Sequence, residues 1–207
     1  MLIGLGGYAK AGKDTVGDFL SEWGWEKTYM SKPLEKALLI LNPWVKVTWG
    51  NWVEGTWYSH ANKSFALKQF VTYAELHQQV GYDESKNNHD VRNYLQKLGT
   101  EVGRNMFGEN VWIDYALRDI DKMLAKGRNV VITGIRFPNE LEGVKARQGL
   151  SVWVERTGYG PVNSHASDNT LGMEDFDKVL WNDGTLTDLK QNAYHLIGSV
   201  VHDDIYQ

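Results

Sequence analysis

The sequence predicts an α/β protein built as a three-layer sandwich: a five-stranded parallel sheet between two layers of helices, with a helical insertion. Three observations predict it. Short apolar runs alternate with segments of helical period, a glycine-rich turn ending in lysine joins the first run to the first helix, and the alternation breaks between about residues 42 and 90. The apolar runs Leu2–Leu5, Trp25–Tyr29, Asn129–Thr133, Leu150–Glu155 and Val179–Trp181 read as strands. Helical periodicity fits Asp14–Trp23, Pro33–Leu41, Ser64–Val80, Asp90–Gly103, Val111–Ala125, Asn139–Gln148 and Leu186–Val201. Strands separated by helices imply a parallel sheet covered on both faces. The whole chain, 1–207, is expected to form one domain, with 42–110 as an insertion inside it. Trp44, Trp49, Trp52 and Trp57 crowd that insertion, and Gly50, Gly55, Asn87 and Asn88 give it the character of loops over a ligand.

The turn reads Gly7-Tyr8-Ala9-Lys10-Ala11-Gly12-Lys13-Asp14-Thr15, or G-x-x-x-x-G-K-D-T, with the strand Leu2–Leu5 before it and the amphipathic segment Val16–Trp23 after it. Strand, glycine turn, lysine and helix together form a phosphate site: successive N–H groups face phosphate oxygens and the helix N-terminus adds partial positive charge. Gly7, Ala9, Lys10, Ala11, Gly12, Lys13, Asp14 and Thr15 are the candidate nucleotide-binding residues, with Lys13 reaching the β- and γ-phosphates. A serine or threonine normally follows the lysine and offers its hydroxyl to Mg²⁺; here Asp14 stands there. Two other readings compete. Gly4-Leu5-Gly6-Gly7-Tyr8-Ala9 also fits G-x-G-x-x-A, but that fingerprint needs an acidic residue ending the second strand, and Glu26 begins it. A bare turn without ligand has no use for the lysine.

Three further segments carry candidate chemistry. In 90–103, Val91, Tyr94, Leu95, Leu98 and Val102 share one arc at 100° per residue, while Arg92, Gln96, Gly99 and Gly103 share the flank beside it. Each helical glycine costs about 1 kcal/mol relative to alanine. A groove holding a ligand phosphate on Arg92, with Gln96 near a base or sugar, would explain that cost; so would close helix packing with Arg92 in solvent. In Val130–Glu140, Thr133 and Gly134 occupy the strand end where many phosphate-loop enzymes place a metal-binding aspartate. Asp14 would supply the missing oxygen ligand, directly or through water, or would simply begin a helix. Arg136 follows that strand end, with Asn139 and Glu140 opening the next helix; Arg136 and Glu140 could also form a surface ion pair. Near the end, Trp181-Asn182-Asp183-Gly184-Thr185 reads as a turn and cap, or as a loop gripping adenine through Asn182.

Bulk composition narrows the class. Net charge is −4, with 42% hydrophobic and 23% charged residues, and the pI is about 5.9. No basic field points to nucleic-acid polymers or membranes, so anions must be held by local constellations. The chain has no cysteine, and its six histidines lack metal-ligand spacing. The first strand starts at the second residue, so no signal peptide is expected; no apolar run reaches membrane length, and a cytoplasmic protein is expected.

Four blocks resemble the bacteriophage deoxynucleoside monophosphate kinases, a branch of the P-loop nucleoside monophosphate kinases. They are the G-x-x-x-x-G-K-D-T loop; Val91-Arg92-x-x-Leu95-Gln96-x-Leu98-Gly99-Thr100-Glu101 with Trp112 downstream; Ile135-Arg136 with Glu140; and Trp181-Asn182-Asp183-Gly184-Thr185. Residues 42–88 match poorly. The resemblance implies ATP as donor and a deoxynucleoside monophosphate as acceptor, with transfer to give the diphosphate; Mg²⁺ is the expected cofactor from the loop itself. It also implies that Arg92, Trp112, Arg136 and Glu140 lie at the acceptor or transferring phosphate; Gln96 and Asn139 join them as acceptor-side candidates, and the host cytoplasm is the expected setting if the protein is of phage origin. Nucleotides are then the partners, and a homodimer stays open. An acceptor phosphate, with a second pKa of about 6, is already ionised, so no strong base is needed. Positive charge is needed instead: Lys13, Arg92, Arg136 and Mg²⁺ supply it, with Arg156 or Lys10 as helpers. Trp112 could stack on the acceptor base or pack in the core. The polar stretch 157–172 is the candidate lid. A dephospho-coenzyme A kinase-like enzyme or a non-catalytic nucleotide-binding protein would share the loop and the sheet.

Overall fold

The computed structural model describes residues 1–47, 70–160 and 170–205, with side chains up to residue 198. Trp49, Trp52, Trp57, the start of the helix expected at Ser64, and 161–169 of the expected lid lie outside the described residues. In chain order the elements are β1 (Leu2–Gly6), α1 (Lys13–Glu22), β2 (Glu26–Tyr29), α2 (Lys32–Leu41), β3 (Trp44–Lys46), β4 (Phe70–Thr72), α3 (Tyr73–Ser85) and α4 (His89–Gln96). A π-helical segment (Lys97–Phe107), α5 (Val111–Leu124), β5 (Val130–Ile135), α6 (Pro138–Lys145), β6 (Leu150–Glu155), β7 (Lys178–Trp181) and α7 (Leu186–Ile205) follow. The chain divides into two compact units, one of Met1–Ser31 with Ile113–Gln207 and one of Lys32–Trp112.

The first unit carries the expected five-stranded sheet, in the order β2-β5-β1-β6-β7 with every pair parallel. Alternation along each strand splits the apolar residues between two helix layers. Leu2, Val130, Ile132 and Trp153 face Ile113, Leu117, Ile120, Leu141 and Val144 of α5 and α6. Ile3, Leu5, Val131, Val152 and Val154 face Val16, Leu20, Leu189, Ala193 and Leu196 of α1 and α7. The period breaks once: Leu5 pairs with Thr133 but Gly6 pairs with Ile135, so Gly134, at φ 82°, is an extra residue in β5. This bulge turns Ile135 back to the face of Val130 and Ile132. Because later strands flank β1 on both sides, the crevice for a ligand opens at its carboxyl end, where the glycine turn begins.

The second unit is built around Leu38, Val45, Tyr73, Leu76 and Val91. Its β3 and β4 form an antiparallel ribbon that the sequence reading did not anticipate. The helix expected from Ser64 to Val80 is corrected accordingly: residues 70–72 are strand, and helix begins only at Tyr73. Thr72 and Glu75 close a capping box there, and Thr72-x-x-Glu75 was the available signal for that boundary. Asn88 caps α4, accepting from Asp90 N at 2.9 Å, and its own amide donates to Lys46 O at 2.8 Å, tying β3 to α4.

Candidate active site

The turn after β1 has the geometry of a phosphate cradle. Gly7, Lys10 and Gly12 all have positive φ, at 140°, 65° and 104°. At Gly7 space excludes a side chain as well, since a Cβ would stand 2.5 Å from Val154 O; a Cβ on Gly12 would stand 2.5 Å from Asn182 Nδ2 and push that amide aside. Gly12 is the N-cap of α1, so the first-turn N–H groups, which have no acceptor within the helix, lie at the turn. Lys13 is buried and its ammonium donates to Tyr8 O at 3.2 Å, which folds the side chain back over the turn. Ala11 is buried, whereas Ala9 and Lys10 are exposed at the turn's tip and Thr15 is half-buried.

Asp14 and the end of β5 meet. The Thr133 hydroxyl, fully buried, donates to Asp14 Oδ1 at 2.7 Å, while Asp14 itself is exposed. Lys27 donates to the Asp14 main-chain oxygen at 3.0 Å and to Asp18 Oδ1 at 2.6 Å. A carboxylate and a hydroxyl side by side next to a phosphate cradle fit Mg²⁺, a hard cation commonly held by one or two carboxylates plus substrate phosphates. Among the described residues no group of three or more His, Cys, Asp or Glu forms a self-sufficient metal cage.

Asn182, expected on adenine, is engaged with the turn itself. Its amide donates to Ala11 O at 2.8 Å, and its backbone N–H donates to Glu155 O at 2.8 Å. Asp183 accepts from Thr157 N at 2.7 Å and Thr157 Oγ1 at 2.9 Å, so the loops after β6 and β7 are clipped together beside the cradle. Arg156 lies over the Tyr159 ring, 4.6 Å from its centroid.

After β5, Glu140 is buried and its Oε2 accepts from Arg136 N at 2.7 Å and Phe137 N at 3.2 Å. Its carboxylate therefore caps α6, a task the sequence reading did not weigh. Asn139 Oδ1 accepts from Glu140 N at 3.1 Å. Arg136 is exposed, its main-chain oxygen accepting from Thr170 Oγ1 at 3.2 Å.

Arg92, Gln96 and Trp112 belong to the second unit. Arg92 and Gln96 are exposed, and Arg92 Nη2 donates to Lys86 O at 3.3 Å. The straight helix expected through Gly103 is corrected: α4 ends at Gln96 and the next eleven residues are π-helical. The wider turn breaks the 100° register, and Val102, assigned to the buried arc, is exposed. Gly103 is instead a packing glycine. The Trp112 indole fills the space a Cβ would take, and its Nε1 donates to Gly99 O at 3.0 Å.

Sheet order, glycine turn and buried lysine together define a P-loop fold. A family model for deoxynucleotide monophosphate kinase matches residues 51–193, more than half of the chain. The chain belongs to the deoxynucleotide monophosphate kinase family. That match begins beyond the glycine turn, so turn and family match are independent observations. A deoxynucleotide monophosphate kinase of Escherichia phage RB69 is 31% identical over 100 residues, 48% of this chain and 41% of that protein. This chain thus spans about two-fifths of that relative's length. A deoxynucleoside-5'-monophosphate kinase of Escherichia phage T5 is 26% identical over 191 residues, 73% of this chain and 74% of the relative. A solved dephospho-CoA kinase from Campylobacter jejuni aligns over 96% of both chains at 12% identity with a TM-score of 0.49, too low to transfer an activity. Among the described residues no helix is long and apolar enough to cross a membrane.

Proposed function

We propose that this protein transfers the γ-phosphoryl group of ATP to the phosphate of a deoxynucleoside monophosphate, yielding ADP and the deoxynucleoside diphosphate. The observation that carries the reading is the turn: three positive-φ residues leading into the N-terminus of α1, with a buried lysine folded back over them, in a chain of the deoxynucleotide monophosphate kinase family. The nucleophile is an acceptor phosphate oxygen, already ionised, so the work of the protein is positioning and charge compensation. Gly7, Ala9, Lys10, Ala11, Gly12 and Thr15 wrap the donor phosphates. Lys13 leaves its Tyr8 carbonyl for the transferring group, and Asn182 keeps the turn in shape. Asp14 is the metal-side ligand; Mg²⁺, when bound, neutralises charge on the β- and γ-oxygens. Arg136, exposed after β5, and Arg92, exposed on α4, are assigned to the acceptor or transferring phosphate, with Gln96, Trp112, Asn139 and Glu140 as acceptor-side residues; Glu140 acts by capping the helix that follows Arg136. Residues 42–110 are the acceptor-binding insertion, and 157–172 the lid that excludes water.

The test is ADP release over a panel of deoxynucleoside and nucleoside monophosphates and dephospho-coenzyme A, with and without Mg²⁺, alongside Lys13→Met. Turnover with a deoxynucleoside monophosphate that Lys13→Met abolishes supports the reading. Preference for dephospho-coenzyme A, or no turnover with any acceptor, overturns it.

A further inference from the structure

We infer that Thr133 is a positioning residue for Asp14, and that loop and strand have exchanged the two halves of the usual P-loop metal-side pair. In that pair the hydroxyl follows the loop lysine and the carboxylate ends the neighbouring strand. Here the carboxylate follows Lys13 and the hydroxyl ends β5, yet the two still touch, Thr133 Oγ1 donating to Asp14 Oδ1 at 2.7 Å. The inference rests on the assignment of Asp14 to the metal proposed above.

Three features of the fold build this contact. The bulge at Gly134 comes immediately after Thr133, so Thr133 still faces α1 with Val131 while the chain beyond it turns to the other face. On α1, Gly17 leaves room for the threonine: a Cβ there would stand 2.9 Å from Thr133 Cγ2. Lys27, the cation at this spot, is directed to the Asp14 main-chain oxygen and to Asp18. The Asp14 carboxylate is thus oriented by a buried neutral donor. An exposed aspartate beside a phosphate cradle would otherwise sample several rotamers, some of them pointing its charge at the phosphates it must avoid. A hydroxyl that donates to one oxygen fixes the rotamer and leaves the other lone pairs for a cation. A hydrogen bond to an ionised group is among the stronger ones, so its loss registers in binding.

ATP affinity measured by titration calorimetry, once in MgCl₂ and once in EDTA, tests this on the full chain. Thr133→Val keeps the shape and β preference of a buried strand position. It should weaken MgATP binding on the order of tenfold. Metal-free ATP should change by no more than about twofold. Thr133→Ser, which restores the hydroxyl, should recover most of the loss. The double variant Asp14→Thr/Thr133→Asp, which rebuilds the usual order, should bind MgATP more tightly than Asp14→Thr alone. A Thr133→Val protein that keeps the whole Mg²⁺-dependent gain, or loses affinity equally in both buffers, overturns the inference while leaving the assignment of Asp14 standing. A wild-type protein that gains nothing from Mg²⁺ overturns both. Should the double variant not fold, the Val and Ser pair decides alone.

Discussion

Asn182→Ala separates two roles for a residue that the sequence places beside the nucleotide. The Asn182 amide donates to Ala11 O at 2.8 Å, and Ala11 is 1% exposed, so truncation takes the donor away from a carbonyl that the fold otherwise buries. Leaving a buried carbonyl unsatisfied costs about 1–3 kcal/mol. For a chain of this size that corresponds to a Tm lower by roughly 2–12 °C. The looser turn must bind any polyphosphate less well, because the braced carbonyl belongs to the segment that presents its N–H groups. Calorimetric titration with ATP and with inorganic tripolyphosphate is the assay. Bracing requires that both affinities fall by a similar factor along with Tm. If Asn182 instead grips adenine, ATP binding weakens while tripolyphosphate binding and Tm stay at wild-type values, and that result would refute the bracing argument.

Arg92→Ala should raise the acceptor KM roughly 10- to 150-fold, the equivalent of a lost charge-assisted bond of about 1.5–3 kcal/mol, with ATP KM nearly unchanged and Arg92→Lys rescuing only in part. Steady-state kinetics varying each substrate checks it, and an equal rise in both constants would remove Arg92 from the acceptor site. Gly103→Ala should destabilise the protein by about 1–3 kcal/mol in denaturant titrations, because the new methyl falls on the Trp112 indole and breaks its bond to Gly99 O. A change within about 0.5 kcal/mol would show that the indole has room to move. Burial opposes ionisation of Asp177, but the Ser151 hydroxyl and amide, with Lys145 nearby, outweigh it and hold the carboxyl below its ordinary 3.8. The folded value being depressed, this contribution is whole above 3.8 and fades as pH falls through the folded value. Asp177→Asn should therefore narrow the stability difference between neutral and acid denaturant titrations, and an unaltered acid limb would count against the Ser151 contacts.

Much of the glycine turn was legible in the sequence. The glycines of 7–12, the lysine after them and the helix that follows are local in sequence, and local spacing alone decides a turn that points N–H groups outward. Five strands and their parallel arrangement followed from the alternation of apolar runs with helical ones. The helix at 90–103 went wrong for a physical reason: a 100° projection presumes α geometry, and the chain is π-helical from Lys97, which shifts each later residue around the axis. The helix drawn from Ser64 ran through a strand because its apolar residues fit both periods, and only the Thr72–Glu75 box separates them. The four-residue spacing of Arg136 and Glu140 suggested a surface ion pair; in the fold the Glu140 carboxylate accepts instead from the Arg136 and Phe137 backbone amides at the start of α6.

By itself the sequence determined what chemistry is at hand: a glycine-rich turn ending in lysine at the start of a helix, a surplus of local cations over any candidate base, and the absence of cysteine. Those facts depend on residue identity and near-neighbour spacing. Tertiary structure alone decided which oxygens meet. Asp14 and Thr133 are 119 residues apart, and Ala11 and Asn182 171 apart. No periodicity links such positions. They are joined because β5 and β7 lie where sheet pairing puts them, and because one extra glycine in β5 changes which face the chain presents at the carboxyl end of the sheet.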